Sequence, residues 1–239
     1  MENKKLTTII LILVVIVIFG GVLFLYLNLG DFSFADVSIE SSNKSEEKEL
    51  SYEVSLKEEE LREDNYEIDV EEIKSNSLGA DEVNKFIKKQ ISDFKEKSNN
   101  EVPPLRERGF DHKYTMNIDV ESHQNENYVS YILNIGKYTG GANMNQIIES
   151  FIFNKDNNKE VTLSDIILEN KKDEFMKQVR KALKEADTFP GIEDNFHFSD
   201  IHSFYLTEDK LNIVFSKYEV APGAAGIIEI SIDSDKLIR

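Results

Sequence analysis

Hydrophobic and polar positions change period several times along the chain. Residues 6–29, LTTIILILVVIVIFGGVLFLYLNL, carry no charge. At ~1.5 Å per residue this run makes ~36 Å of helix, against a hydrocarbon core of ~30 Å, which predicts a membrane-spanning anchor. Period-2 alternation begins at Tyr66, where Tyr66, Ile68 and Val70 alternate with Glu67 and Asp69, as in a half-buried strand. Over residues 81–97 the period becomes helical: Val83, Phe86, Ile87, Ile91 and Phe94 share one face, and Asn99-Asn100 followed by Pro103-Pro104 predict its end. Strand patterns return at Tyr114, Met116, Ile118 and Val120, and again at Val129, Tyr131, Leu133 and Ile135. The polar SHQNEN between them predicts an antiparallel hairpin.

A further strand is expected over 146–153, after the Gly140-Gly141 turn. Thr162 and Asp165 then open a short helix. A longer helix over 171–186 puts Phe175, Met176, Val179, Leu183 and Ala186 on one face, with Asn170 as its predicted N-cap. Leu211, Ile213 and Phe215, then Ile228, Ile230 and Ile232, predict two last strands. Antiparallel runs with inserted helices predict an α+β fold, antiparallel sheets with packed helices, preceded by the N-terminal transmembrane helix. The expected organisation is a cytoplasmic tip (1–5), the anchor (6–29), an acidic stalk (30–49) and two subdomains (50–145 and 146–239).

Charge sharpens this picture. The 239 residues hold 28 Lys+Arg and 45 Asp+Glu, a net charge of -17, which argues against nucleic acid as a partner because phosphate binding needs surplus Lys and Arg. The stretch SIESSNKSEEKE (38–49) has nothing to bury and reads as a solvated stalk with a reach of ~25 Å. Lys4 and Lys5 before the apolar run, with Asp31 and Asp36 after it, place the N-terminus inside and the folded bulk outside. A cleaved signal peptide, using Ser33-Phe34-Ala35, is the competing reading of the same segment. The chain contains no cysteine, which excludes disulfides, thiolate metal sites and a cysteine nucleophile.

Candidate chemistry is sparse. His197, Asp200 and His202 could form a metal-binding cluster in a peptidoglycan-acting enzyme, or could be ordinary polar positions before a strand. Residues 154–165, NKDNNKEVTLSD, match a calcium loop only in part and lack its glycine and its final glutamate, so an Asn-rich turn is preferred. No G-x-S-x-G, Walker or G-x-G-x-x-G motif occurs. The reading is therefore non-catalytic, with no cofactor and no metal. Two glycine-bearing loops remain, Tyr138-Thr139-Gly140-Gly141-Ala142-Asn143 and Tyr218-Glu219-Val220-Ala221-Pro222-Gly223-Ala224-Ala225-Gly226. Tyr138, Thr139, Gly140, Gly141, Asn143, Tyr218, Pro222 and Gly226 are the candidate binding residues.

The order of Tyr138 to Ala142, Phe153-Asn154, Val161 to Asp165, Phe215 and Tyr218 to Pro222 with Gly226 carries a resemblance. Over about 65–235 the chain resembles the extracytoplasmic domain pair, of the domain-of-unknown-function type, shared by the lysozyme-sensing anti-sigma factor RsiV and the peptidoglycan deacetylase PdaC. The resemblance implies a non-catalytic α+β module on the outer side of the bacterial cytoplasmic membrane, with a PdaC-like first half and an RsiV-like second half. It implies a lysozyme-like cationic protein or cell-wall material as ligand. Asn143-Met144 and Gly223 stand where that family favours His-Gly and an aromatic residue, so the ligand is expected to differ if either position touches it. An accessory subunit of an envelope complex is the remaining alternative.

With this orientation, protease added to intact protoplasts is expected to digest the folded bulk. Full protection, with the polypeptide recovered in the cytosol, would reverse the topology.

Overall fold

Two antiparallel strands, β1 (Leu56–Arg62) and β2 (Tyr66–Ile73), open the computed structural model, which describes residues 54–234 and 237–238. Helix α1 (Ala80–Glu107) then crosses over to β3 (Tyr114–Gln124), which pairs parallel to β2. Strands β4 (Tyr128–Tyr138), β5 (Asn145–Asn154) and the two-residue β6 (Lys159–Glu160) continue antiparallel, giving a six-stranded sheet in sequence order. The remainder comprises α2 (Leu163–Ile166), α3 (Lys172–Glu185), α4 (Ile192–Asn195) and a three-stranded antiparallel sheet of β7 (Phe204–Leu206), β8 (Lys210–Phe215) and β9 (Ile228–Asp233). The fold is α+β with one mixed and one antiparallel sheet.

Strand β4 explains how the layers form. Eight of its first nine residues are buried, as expected of a strand covered on both faces. Tyr131, Leu133 and Ile135 face α1, packing with Ile68, Ile118, Val83, Ile87 and Phe153. Tyr128 belongs to the other core, with Ile152, Phe175, Val179, Leu183, Ile213 and Phe215. Two large hydrophobic cores therefore lie on opposite sides of the large sheet and share its central strands, and a small third cluster joins Ile132, Ile148 and Val214. The residue-145 boundary drawn from the sequence falls at the first residue of β5, which pairs with β4 over ten positions.

Several local expectations are corrected. Helix α1 does not end at Asn99-Asn100 but runs through Pro103 and Pro104 to Glu107. Proline costs a helix about 3 kcal/mol through its missing N–H and its steric clash. Here the last turns are held by tertiary contacts: Val102 is fully buried, Leu105 packs on the same core, and Arg106 donates to the Asp64 carbonyl at 2.8 Å. The β2–β3 pair is parallel, so the first sheet is mixed and not wholly antiparallel. Helix α3 is preceded by a 3-10 turn at Glu169–Lys171, and Lys171, not Asn170, stands at its N-cap. Strand β1 lies in the acidic stretch with no apolar alternation to reveal it, since only Leu56 and Leu61 pack on the core.

The anchor over 6–29, the stalk over 30–49 and the tip over 1–5 lie outside the described residues. Among those described, no helix is long and apolar enough to cross a membrane.

The two sheets are joined by serine hydroxyls. Ser203 Oγ donates to the Ile148 carbonyl at 2.9 Å, Ser150 Oγ accepts the Phe204 N–H at 3.1 Å, and Ser130 Oγ accepts the Leu206 N–H at 3.2 Å. Ser130 and Ser203 are buried. His123 stacks on Tyr205, centroids 3.9 Å apart, across the same junction. Burial and a hydrogen bond to Glu229 push the Tyr205 hydroxyl up to about 12.

A buried carbonyl left without its donor costs about 1–3 kcal/mol. Ser203→Ala is therefore expected to lower unfolding stability by that amount in chemical denaturation. Ser199→Ala, at an exposed serine, is expected to change it by less than about 0.5 kcal/mol.

Candidate functional site

The free edge of β5 brings the two sequence-predicted loops together. Between Gln146 and Ser150 this edge has no neighbouring strand among the described residues, because β6 pairs only with Phe153 and Asn154. An open edge exposes backbone N–H and C=O groups that proteins normally cover. Here the chain leaving β8 covers it: the Lys217 N–H donates to the Gln146 carbonyl at 3.3 Å and Ser216 Oγ accepts the Ile148 N–H at 3.0 Å. The loop carrying Tyr218 is thereby fastened beside the loop that leads into β5.

Three further contacts set the geometry. Lys217 Nζ donates to the Met144 carbonyl at 3.3 Å and lies 5.4 Å from the centre of the Tyr218 ring. Glu219 accepts the Ser216 N–H at 2.7 Å, closing a tight turn. Tyr218 sits at its apex with φ +72°, a left-handed conformation rarely adopted by a bulky residue and worth attention as strain. Its ring rests against Gly223, where an added Cβ would fall 2.0 Å from the ring. The tyrosine is nonetheless 54% exposed. The turn thus holds a large aromatic ring in solvent, beside an ammonium group, with one face supported by backbone.

The other loop is differently built. Tyr138 Oη donates to the Gly141 carbonyl at 3.1 Å, which folds the loop back on its own stem. Gly140 and Gly141 have φ of +87° and +104° with open space around them, so they serve the turn and hold no neighbour close. Asn143 and Met144 are exposed. Met144 Sδ and Asn117 Oδ1 lie where a Cβ on Gly136 would stand, 2.7 and 2.2 Å away, so Gly136 creates the space that lets Met144 fold over the sheet. Thr139 is half-buried. Pro222 starts the 3-10 turn Gly223–Ala225, and Gly226 leaves it at φ +75°, ψ -140°, a region open essentially to glycine alone. The 187–191 segment joins this end through the Phe189 N–H, which donates to the Val220 carbonyl at 2.8 Å, leaving Phe189 39% exposed.

Met144, noted in the sequence only as a departure from the family pattern, belongs to this surface, and so do Lys217, Ser216 and Phe189, which the sequence did not single out. No local pattern distinguishes them, because their roles follow from which strand edge lies opposite.

The rival cluster has another use. The Asp200 carboxylate accepts the His197 N–H at 2.8 Å, capping the 3-10 turn Phe198–Asp200. No group of three or more His, Asp or Glu residues capable of holding a metal occurs among the described residues. In the 154–165 segment, Asn154 Oδ1 accepts the N–H groups of Asp156 and Asn157, and Asn157 Oδ1 accepts that of Lys159. These are side-chain turns that use the same oxygens a cation would require. Thr162 and Asp165 form a capping box on α2.

Residues 151–235 match the family described as "Protein of unknown function (DUF3298)". The matched stretch includes the Tyr218 turn but not the 139–144 loop. Among solved structures, a DUF3298 family member from Bacteroides fragilis NCTC 9343 is similar with a TM-score of 0.54 and 16% identity, over 79% of this chain and 94% of that one. A DUF3298 family protein from Pseudomonas aeruginosa PAO1 gives a TM-score of 0.52 and 15% identity, over 80% and 94%. At such identities the likeness is one of fold. No curated protein matches the chain.

Glu149, on β5, is half-buried near His202 and Glu219. Burial raises its carboxyl above the ordinary value of 4.5, His202 opposes this, and Glu219 adds to it. A raised folded-state value means that the unfolded chain ionises first as pH climbs through 4.5, so stability falls from there upward. Glu149→Gln is expected to raise the melting temperature at pH 7, with the gain vanishing below about pH 4.

Proposed function

We propose that this chain is a non-catalytic binding module of the bacterial cell envelope, tethered to the outer side of the cytoplasmic membrane through residues 6–29. It docks a cationic protein or cell-wall ligand at the surface formed by loops 139–144 and 216–226. The observation that carries the reading is the Tyr218 turn, whose ring is kept 54% exposed by a left-handed backbone and a glycine support. Burying that ring only for the fold would need neither device. Exposed aromatic anchors of this kind dominate protein interfaces, because they bring large contact area at low side-chain entropy cost. Met144 and Phe189 add exposed apolar surface nearby.

The net charge of -17 favours a cationic partner, mainly by speeding encounter. A lysozyme-like protein has that sign, and the resemblance to the RsiV and PdaC domain pair points the same way. Asn143-Met144 and Gly223 depart from that pattern at the two loops themselves. The contact made here therefore differs in detail, with Met144 and the Tyr218 ring filling the places those departures open. The DUF3298 likeness supports the fold of this reading and says nothing of its ligand.

The test is titration of the full-length chain, in a nonionic detergent, with hen lysozyme and separately with soluble muropeptides. Saturable binding of one of them is expected, weakened at least about tenfold by Tyr218→Ala, an anchor truncation worth ~1.4 kcal/mol or more. Because the ring is exposed, the melting temperature should hold nearly constant. Binding that ignores Tyr218→Ala and Met144→Ala alike would remove this surface from consideration. Metal-dependent muropeptide turnover lost in His197→Ala would favour the enzyme instead.

A further inference from the structure

A second surface gathers more cations than carboxylates in a chain that is acidic as a whole. Where the ends of β1 and β2 meet the first turns of α1 there is an open cleft of about 660 Å³. Its wall carries Lys57, Lys74, Lys85 and Lys88 against two carboxylates, Glu72 and Asp81. Four lysines line this cleft in a chain whose net charge is -17. Lys57 approaches Glu59 only to 3.8 Å, and Lys74, Lys85 and Lys88 make no ion pair among the described residues. Elsewhere the lysines are commonly paired, as Lys89 is with Asp93, Lys171 with Glu174 and Lys172 with Glu169.

The cleft is shaped by rigid parts. Asn84 on α1 bonds both backbone groups of Ile73 at the end of β2, accepting from its N–H at 2.9 Å and donating to its carbonyl at 2.5 Å. That pair fixes the helix against the strand end and holds the two walls apart at a set spacing. Lys85 and Lys88, three residues apart, fall on one face of α1. Lys57 lies opposite Glu72 across the hairpin. Strand alternation sends Glu58, Glu60, Asp69 and Glu71 to the other side of the sheet. Those four carboxylates leave the cleft face, where Glu59 and Glu72 remain beside Lys57.

We infer that this cleft is a binding site for a phosphate-bearing anion, separate from the Tyr218 surface. Its cations are lysines without an arginine. The arginine fork fits carboxylate and phosphate alike, whereas lysine ammonium groups act as point charges that can meet the oxygens of a tetrahedral phosphate from different sides. Ser75 and Asn76 add neutral hydrogen-bonding groups at the rim. Strand β1 begins at Leu56, so the chain enters the fold beside Lys57, arriving from the residues read as stalk and anchor. Phospholipid headgroups and soluble phosphate esters are both sources of this chemistry, and they can be told apart.

The full-length chain in a nonionic detergent is titrated with inorganic phosphate at low ionic strength. Saturable binding is expected, weakened about tenfold or more in Lys85→Glu/Lys88→Glu and progressively by added salt. Both lysines are exposed, so an unchanged melting temperature without ligand shows that the fold is intact. Lys177→Glu/Lys184→Glu, an equal charge change at exposed lysines of α3, should leave binding within about twofold of wild type. Displacement of phosphate by dihexanoyl phosphatidylglycerol more strongly than by sn-glycerol 3-phosphate assigns a lipid headgroup. Equal displacement assigns a soluble phosphate ester. Absence of saturable phosphate binding, or equal loss in the two double variants, would overturn the site, whatever Tyr218→Ala does to the partner surface.

Discussion

The unpaired edge of β5 is the constraint around which the second half of the molecule is arranged. A strand edge inside a folded protein must find hydrogen-bond partners or pay the cost of desolvated backbone. This protein supplies them without another long strand. Ser203 and Ser216 reach the Ile148 backbone, and the Lys217 N–H reaches the Gln146 carbonyl. Ser150 and Ser130 hydroxyls meet the N–H groups of β7. Short side chains suit the task because a serine hydroxyl can stand close to a backbone while leaving its neighbours packed. The small sheet is thereby held to the large one at fixed positions, and the loops leaving it inherit those positions.

The arrangement has a consequence for binding. The segment that closes the edge also carries Tyr218, so edge protection and presentation of the aromatic ring are one structure. Lys217 serves both, bonding backbone at two points while its ammonium lies beside the ring. A turn fixed in this way loses little freedom when it meets a partner, which is how preorganised surfaces gain affinity. The candidate phosphate cleft lies at a different place, where Asn84 ties α1 to β2. Each surface is built on a contact that fixes a strand end or edge.

How far the sequence could be read depended on whether the relevant signal was local. Strands with one wet face announced themselves: the alternation at Tyr66, Ile68 and Val70 and at Tyr114 to Val120 corresponds to β2 and β3. The face of α3 was evident from Phe175, Met176, Val179 and Leu183, all buried. Strand β1 was missed because its edge position leaves it mostly in solvent. The end of α1 was misplaced because Val102 and Leu105 outweigh two prolines through contacts that lie far away in sequence. The parallel β2–β3 pairing was also hidden, since period 2 records burial and not strand direction. Both glycine loops were legible as loops, and their residues fall at one end of the β5 edge. That they meet through Lys217 was not, because nothing in a lysine's neighbours tells which carbonyl it will reach.

Composition and periodicity alone determined the α+β class, the acidic balance, the absence of cysteine chemistry and most strands and helices. Each is a property of a short window or of a sum over residues. Tertiary structure decided the mixed pairing, the two cores shared across β4, the exposed Tyr218 ring and the lining of one cleft by four lysines. These depend on distances between residues remote along the chain, which are set only when strand edges and helix faces find their partners.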